Sequence, residues 1–343
     1  MAVAPEKVNR IGLGRDVYKG APTTLCAGCG HNSITNHIIK ALYDSAVPPH
    51  LLAKMSGIGC SSKTPAYFVD RAFGFNGVHG RMPSLATGAK VANRDLVVLG
   101  VSGDGDTASI GLGQFCHLIR RNVDVTYIVE DNGCYGLTKG QFSATADLGS
   151  RLKKGQVNEF ETIDICGIAI ELGATFVARS FSGDGKQLVP LLQAALSHQG
   201  TAVLDIISPC VTFNDHDGST KSYAYVKEHD VVLHTADYIT AQPEIHVDYE
   251  PGTAQDVELH DGSHIVLRKL HLDHDVTDAS GALSLIRDSR ARGELLTGLL
   301  YVNTEARDLS EREQLPETPL AAMREEELRI PARAWDALMA EFA

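Results

Sequence analysis

The stretch "DLVVLGVSGDGDTASIGLGQFCHLIRRNVDVTYIVEDN", residues 95–132, decides the fold. Residues 95–103 are a continuous apolar run ending in glycine, the pattern of a strand buried on both faces. Residues 107–121 have helical spacing and a basic end, which suits the helix dipole. Residues 123–131 are a second apolar run of strand length.

The same alternation continues on both sides. Helices are expected at 31–44, 84–93, 163–173 and 186–199, and strands at 51–56, 175–180 and 201–208. Strands separated by helices of this length imply a doubly wound α/β fold with a mostly parallel sheet. After Pro209 the pattern breaks, and residues 211–250 read as loop. Residues 257–270 alternate about an Asp-Gly and predict a hairpin. Residues 279–296 predict a helix, and the charged segment 303–343 predicts an arm. The expected division is a main domain over 1–222 and a C-terminal extension over 223–343.

Composition narrows the function. The chain of 343 residues carries a formal net charge of −12 and no basic stripe, which argues against nucleic acid as a partner. The longest apolar runs are strand-length, so no membrane span is expected. The N-terminal residues lack the apolar core of a signal peptide, and a cytoplasmic location is expected. Without a secretory signal, the seven cysteines do not read as a disulfide framework.

In an open α/β sheet, ligands bind beyond the carboxyl ends of the strands. Gly103 to Asp106 stands at one such end, and Asn132, 28 residues after Asp104, stands at the next. If the two strands are neighbours, Asp104 and Asn132 share a crevice. Gly103 and Gly105 let the backbone approach a phosphate, and the following helix offers its N-terminus to the anion. Carboxylate, amide and carbonyl oxygens together suit Mg²⁺. A plain strand–turn–helix with Asp106 as an N-cap explains the tetrapeptide alone equally well. A nicotinamide site is disfavoured because the third glycine of G-x-G-x-x-G is missing. A second "SGDGK" at 182–186 has Thr212 where the Asn would stand, and reads as a helix start.

Cys26 and Cys29 form a C-x-x-C before a helix, while Cys60 and Cys210 each follow a strand. Four loop cysteines at one sheet edge can ligate Zn²⁺ or an iron–sulfur cluster. A redox dithiol lacks its thioredoxin-like context here. Cys116 and Cys166 read as core residues.

The Gly-Asp-Gly and the Asn at this distance, with the glycine-rich approach over 74–106, resemble the thiamine diphosphate and Mg²⁺ motif. That resemblance implies Asp104, Asn132 and the backbone carbonyl of Cys134 as Mg²⁺ ligands. It also implies Gly103, Gly105, Asp106, Gly136 and Leu137 near the diphosphate, and the backbone over Gly77, Val78, His79 and Gly80 near the aminopyrimidine. "CAGCGH", "GIGCSSKTPAYF", "HGRMPSLATGAK", "DNGCYGLTKGQ" and "SPC", spread over residues 21–222, resemble the β subunit of the 2-oxoacid:ferredoxin oxidoreductases. The implied fold is the diphosphate-domain type of thiamine-binding α/β sheet. Cys26, Cys29, Cys60 and Cys210 are then implied to hold one 4Fe–4S cluster, which could take the electrons released by decarboxylation.

The resemblance further implies a 2-oxoacid and coenzyme A as substrates and ferredoxin as electron partner. It implies an α subunit with the pyrimidine-binding domain and the activating Glu, in an α2β2 assembly. Lys63 and Lys139 are candidate substrate residues, Lys139 as a point-charge partner for the second carboxylate of 2-oxoglutarate. His79 and Arg81 are candidates for polarising the substrate or binding its carboxylate. Lys139 and the extension, with "LHDGSHIVLRKL" and "GELLTGLLYV", favour 2-oxoglutarate over pyruvate or a broad-specificity role. A non-redox thiamine decarboxylase would not need the cysteines, and a metal-stapled binding scaffold would be zinc-loaded and colourless.

Overall fold

The computed structural model describes residues 7–138, 140–150, 156–211, 243–260 and 264–342. Helix α1 (Gly30–Asp44) leads to β1 (Leu52–Ser56), then β2 (Phe73–Asn76), α2 (Met82–Ala92) and β3 (Val97–Gly103). Next come α3 (Leu112–Arg120), β4 (Val125–Asp131) and the short pair β5 (Cys134–Tyr135) and β6 (Gln141–Phe142). Then follow α4 (Ile165–Glu171), β7 (Phe176–Phe181), α5 (Gly185–Ser197) and β8 (Thr201–Ile207). The last part holds β9 (Ala254–Glu258), β10 (His264–Lys269), α6 (Ala279–Ala291), β11 (Glu294–Val302), α7 (Leu309–Arg312), α8 (Glu325–Leu328) and α9 (Ala332–Ala340).

One nine-stranded sheet runs in the order β2-β1-β3-β4-β8-β7-β11-β10-β9. From β2 to β7 every pairing is parallel. Helices cover both faces, and the central strand β4 is buried at every position. Its Val125, Tyr127 and Val129 pack under α2, α3, α4 and α6, while Ile128 packs under α1 and α5. This alternation follows from the two-residue period of a strand. Each such side chain contributes about 1.5–3 kcal/mol by leaving water.

Two expectations change at their ends. The helix expected over 279–296 stops at Ala291, because Gly293 takes a φ of +71° and turns the chain. Residues 294–302 instead form β11, antiparallel to β7 and parallel to β10, which joins the parallel strands to the β9–β10 pair. The helix expected from 107 begins earlier, as a π-helical turn over Gly105–Ile110 that breaks at Gly111 before α3. A Cβ on Gly111 would stand 2.5 Å from the Asp106 carbonyl and 2.8 Å from Gly80 Cα. The bulge is therefore where the loop after β2 crosses the helix start.

The hairpin is present as β9 and β10. The second Gly-Asp-Gly is a helix start, with the Asp184 carboxylate accepting from the Gln187 amide at 3.1 Å. The boundary expected at 222/223 lies outside the described residues. No helix among the described residues is long and apolar enough to cross a membrane.

Candidate active site

Strands β2, β1, β3, β4 and β8 are parallel neighbours, so the residues that follow them meet along one edge. A cleft there is lined by Cys60, His79, Gly103 to Asp106, Asn132, Cys134, Gly136 and Leu137. The sequence had placed each of these in the site. His31, Glu130 and Tyr135 line it as well.

Asp104 and Asn132 are both buried, one after β3 and the other after β4. Asp104 Oδ2 accepts a hydrogen bond from Ser143 Oγ. Thr145 Oγ1 lies 2.8 Å from Asp104 Oδ2 and 2.8 Å from Asp131 Oδ1. A single hydroxyl proton serves one of these carboxylates at a time, so a cation beside Asp104 would relieve the crowding of negative charge. Asn132 Oδ1 accepts from the Cys134 amide at 3.1 Å, which orients the side chain. The backbone is cramped where a diphosphate would pass: a Cβ on Gly105 would stand 2.5 Å from the Tyr135 ring. The oxygen-rich donor set and this glycine cradle fit Mg²⁺ and a diphosphate.

Asp106 does something other than cap its own helix. Its Oδ1 accepts from His79 Nδ1 and from the Gly80 amide, each at 2.8 Å, and Oδ2 accepts from Ser102 Oγ at 3.0 Å. A Cβ on Gly57 would fall 1.8 Å from Oδ2, so only glycine fits where that loop passes. The carboxylate thus pins the loops after β1 and β2 to the end of β3. Any contact of Asp106 with a diphosphate would come from its main chain. Bonded in this way through Nδ1, a neutral His79 ring keeps its lone pair on Nε2.

Arg81 is exposed, donates to the Gly80 carbonyl at 3.1 Å, and does not line the cleft. Lys63 lies near the Cys60 thiol and draws its pKa down, against the larger upward push of burial and of Cys210. Val78 is exposed beside the cleft, and Gly77 donates its amide to the Ser56 carbonyl. Lys139 lies outside the described residues.

The cysteines at the strand ends gather on the same side. Burial and the facing Cys210 push the Cys29 thiol well up, and the same pair of causes takes Cys60 to about 11. Cys26 adds to both shifts. Thiols that raise one another's pKa are close enough to share negative charge, and bound iron would stabilise that charge. Among the described residues, no three His, Cys, Asp or Glu side chains are drawn together to hold a single metal ion. Cys116 is half-buried on α3, and Cys166 is buried in the core.

Sequence reasoning had used only the carbonyl of Cys134, yet its thiol is hydrogen-bonded to Cys210 and pushed well up by that contact and by burial. It had also missed Glu130, which burial pushes well up and whose oxygens accept from Thr64 Oγ1 at 3.0 and 3.1 Å. Only an apolar run interrupted by Glu130, with Asp131 and Asn132 after it, marked that strand end as polar.

His31 stands with Nδ1 2.6 Å from Ser208 Oγ. Burial lowers its pKa from 6.5 to about 4. The unfolded chain therefore binds a proton that the folded chain refuses between these values, and stability falls as pH drops through that window. From about pH 7.5 to about pH 5, His31 alone removes about 2 kcal/mol. Chemical denaturation of the cluster-free chain at both pH values should show this loss, and His31→Gln should flatten it. An equal slope in the variant would assign the dependence to other groups.

The comparisons with known proteins agree with this geometry. Residues 57–206 match the family "Thiamine pyrophosphate enzyme, C-terminal TPP binding domain". The 2-oxoacid:ferredoxin oxidoreductase subunit beta of Saccharolobus solfataricus is 42% identical over 193 residues, 55% of this chain and 63% of that protein. The 2-oxoglutarate synthase subunit KorB of Methanocaldococcus jannaschii is 35% identical over 220 residues, 63% of this chain and 81% of that protein. A solved structure of 2-oxoglutarate:ferredoxin oxidoreductase from Magnetococcus marinus, with 2-oxoglutarate, coenzyme A and succinyl-CoA bound, superposes with a TM-score of 0.72 at 30% identity. It covers 96% of this chain and 95% of that one. The chain belongs to the family of 2-oxoacid:ferredoxin oxidoreductase β subunits, on a thiamine diphosphate-binding fold. It spans under two thirds of the length of the first curated relatives it matches, such as the 63% for Saccharolobus solfataricus.

Proposed function

We propose that the chain is the β subunit of a 2-oxoglutarate:ferredoxin oxidoreductase. With coenzyme A it would convert 2-oxoglutarate to succinyl-CoA and CO₂, passing an electron pair to ferredoxin, and the reaction would be reversible. The observation that carries the reading is the convergence of Asp104 and Asn132 with Cys60 and Cys134 on one cleft. Thiamine diphosphate, when bound, supplies the carbanion chemistry of decarboxylation. Asp104, Asn132 and the Cys134 carbonyl would hold its Mg²⁺, and the glycines after β2 and β3 would let the backbone approach it. Cys26, Cys29, Cys60 and Cys210 would hold a 4Fe–4S cluster. His79, held through Nδ1 by Asp106, would present Nε2 to substrate. Lys63 and Lys139 would attract carboxylate charge, and Arg81 would reach the site only by leaving the Gly80 carbonyl.

The activating Glu and the rest of the pyrimidine site would come from an α subunit, in an α2β2 assembly in the cytoplasm. The chain alone is then inactive. The test is anaerobic co-purification with the α partner, followed by iron and sulfide analysis and visible spectroscopy. About four irons per αβ unit are expected if α carries no cluster. Bleaching by 2-oxoglutarate with coenzyme A is expected. Equal bleaching by pyruvate would reject the substrate and keep the class. Zinc without visible absorption would reject the redox reading. Cys210→Ser should abolish the visible absorption and ferredoxin reduction together. An unchanged spectrum would remove Cys210 from the ligand set.

A further inference from the structure

The three segments that carry Cys26, Cys29, Cys60 and Cys210 share a meeting point that none of the proposed cofactor contacts uses. His31 follows Cys29 by two residues, Thr64 follows Cys60 by four, and Ser208 precedes Cys210 by two. Thr64 Oγ1 donates to the Glu130 carboxyl at 3.0 and 3.1 Å. His31 Nδ1 lies 3.6 Å from Glu130 Oε2 and 2.6 Å from Ser208 Oγ. Glu130 is fully buried near the end of β4, two residues before Asn132. Main-chain bonds support the same node: the Ser208 amide donates to the Asp131 carbonyl at 2.7 Å, and the Gly30 amide to the Pro209 carbonyl at 3.2 Å.

We infer that Glu130 is a positioning residue that locks the three cysteine-bearing segments to the strand carrying the cation ligands. The inference deepens the proposed function and rests on its cysteine site. Loops that supply ligands need support from groups whose own geometry is fixed. Glu130 meets that need because every residue of β4 is buried and Thr64 fixes its carboxyl. An apolar side chain there leaves the Thr64 hydroxyl buried without its acceptor, and the Cys60 segment loses its anchor. A glutamine keeps an oxygen acceptor of the same size in the same place.

The test uses the αβ complex with Glu130→Gln, Glu130→Leu, Thr64→Val and the Glu130→Leu/Thr64→Val double variant. Iron release under anaerobic chelator challenge and the cluster midpoint potential are read together. Glu130→Leu and Thr64→Val should release iron at least about tenfold faster. Both should shift the potential in the same direction. Glu130→Gln should stay within about twofold of the parent, and the double variant should be no faster than Glu130→Leu. Equal release from all variants, a Glu130→Gln as labile as Glu130→Leu, or additive effects in the double variant would overturn the inference. Thr64→Val keeps it testable should Glu130→Leu fail to fold.

If the parent complex holds no iron, the cluster reading fails separately. The positioning role is then read as thiol reactivity toward Ellman's reagent, with Cys60 and Cys210 followed by peptide mapping. Glu130→Leu and Thr64→Val should speed their modification at least about tenfold, and unchanged rates would overturn the role.

Discussion

In the proposed αβ complex, Asp104→Ala should weaken the proposed Mg²⁺-dependent binding of thiamine diphosphate by about 100-fold or more. Groups that merely support a metal ligand cost about 10–100-fold when removed, and a direct ligand should cost at least the upper end of that range. Activity should fall in parallel. The fold should survive, because Asp104 shares a hydroxyl donor with Asp131 and its loss relieves a crowded pair of carboxylates. Cofactor titration followed by fluorescence, with a thermal melt of the cofactor-free chain, checks both points. Asp104→Asn keeps an oxygen ligand and should lie between parent and alanine. An unchanged affinity in Asp104→Ala would remove this residue from the cation site.

Arg179→Met should lower stability by about 3–5 kcal/mol, the cost of leaving buried charge uncompensated. Arg179 lies on β7 beside its register partner Asp205 on β8. It donates to Asp205 Oδ2 and to Asp164 Oδ1, each at 2.8 Å, and is almost wholly buried. Burial opposes its charge, but Asp164, Cys166 and Asp205 facing it hold the guanidinium well above its ordinary value. Asp164 also caps α4 through the Gly167 amide at 2.7 Å, so the arginine fastens two strands to a helix. Urea denaturation of the single variant and of Arg179→Met/Asp164→Asn/Asp205→Asn checks the account. The triple variant should recover much of the loss, since neutral amides need no counter-charge. A loss below about 1 kcal/mol in the single variant would show that water or protonation satisfies the carboxylates freely.

Much of the site was readable in one dimension because its parts are local. An apolar run ending in Gly103-Asp104-Gly105 announces a strand end whatever its neighbours are. The same holds for Asn132 after β4 and for Cys60 and Cys210 beyond β1 and β8. Glu130 was invisible for the opposite reason. Its donor Thr64 stands 66 residues away, and a lone acid in a strand has no periodicity to betray its role. The Asp106 tether was not legible because local spacing offers only a helix cap or a diphosphate contact, while His79 and Gly80 reach the carboxylate through the crossing at Gly111. "GELL", residues 293–296, continued a helical pattern on paper. Gly293 ends that helix, and the edge of β7 recruits the segment as β11.

By itself the sequence determined most of the parallel strands, the helices between them and the identity of the residues at those strand ends, since hydrophobic period and glycine turns act over a few residues. The tertiary structure decided which strand ends meet. The Cys210 segment reaches the node at Glu130 because β8 lies between β4 and β7 rather than outside β7. That order arises when two helical layers enclose a parallel sheet, with each strand choosing the neighbour that buries both its faces.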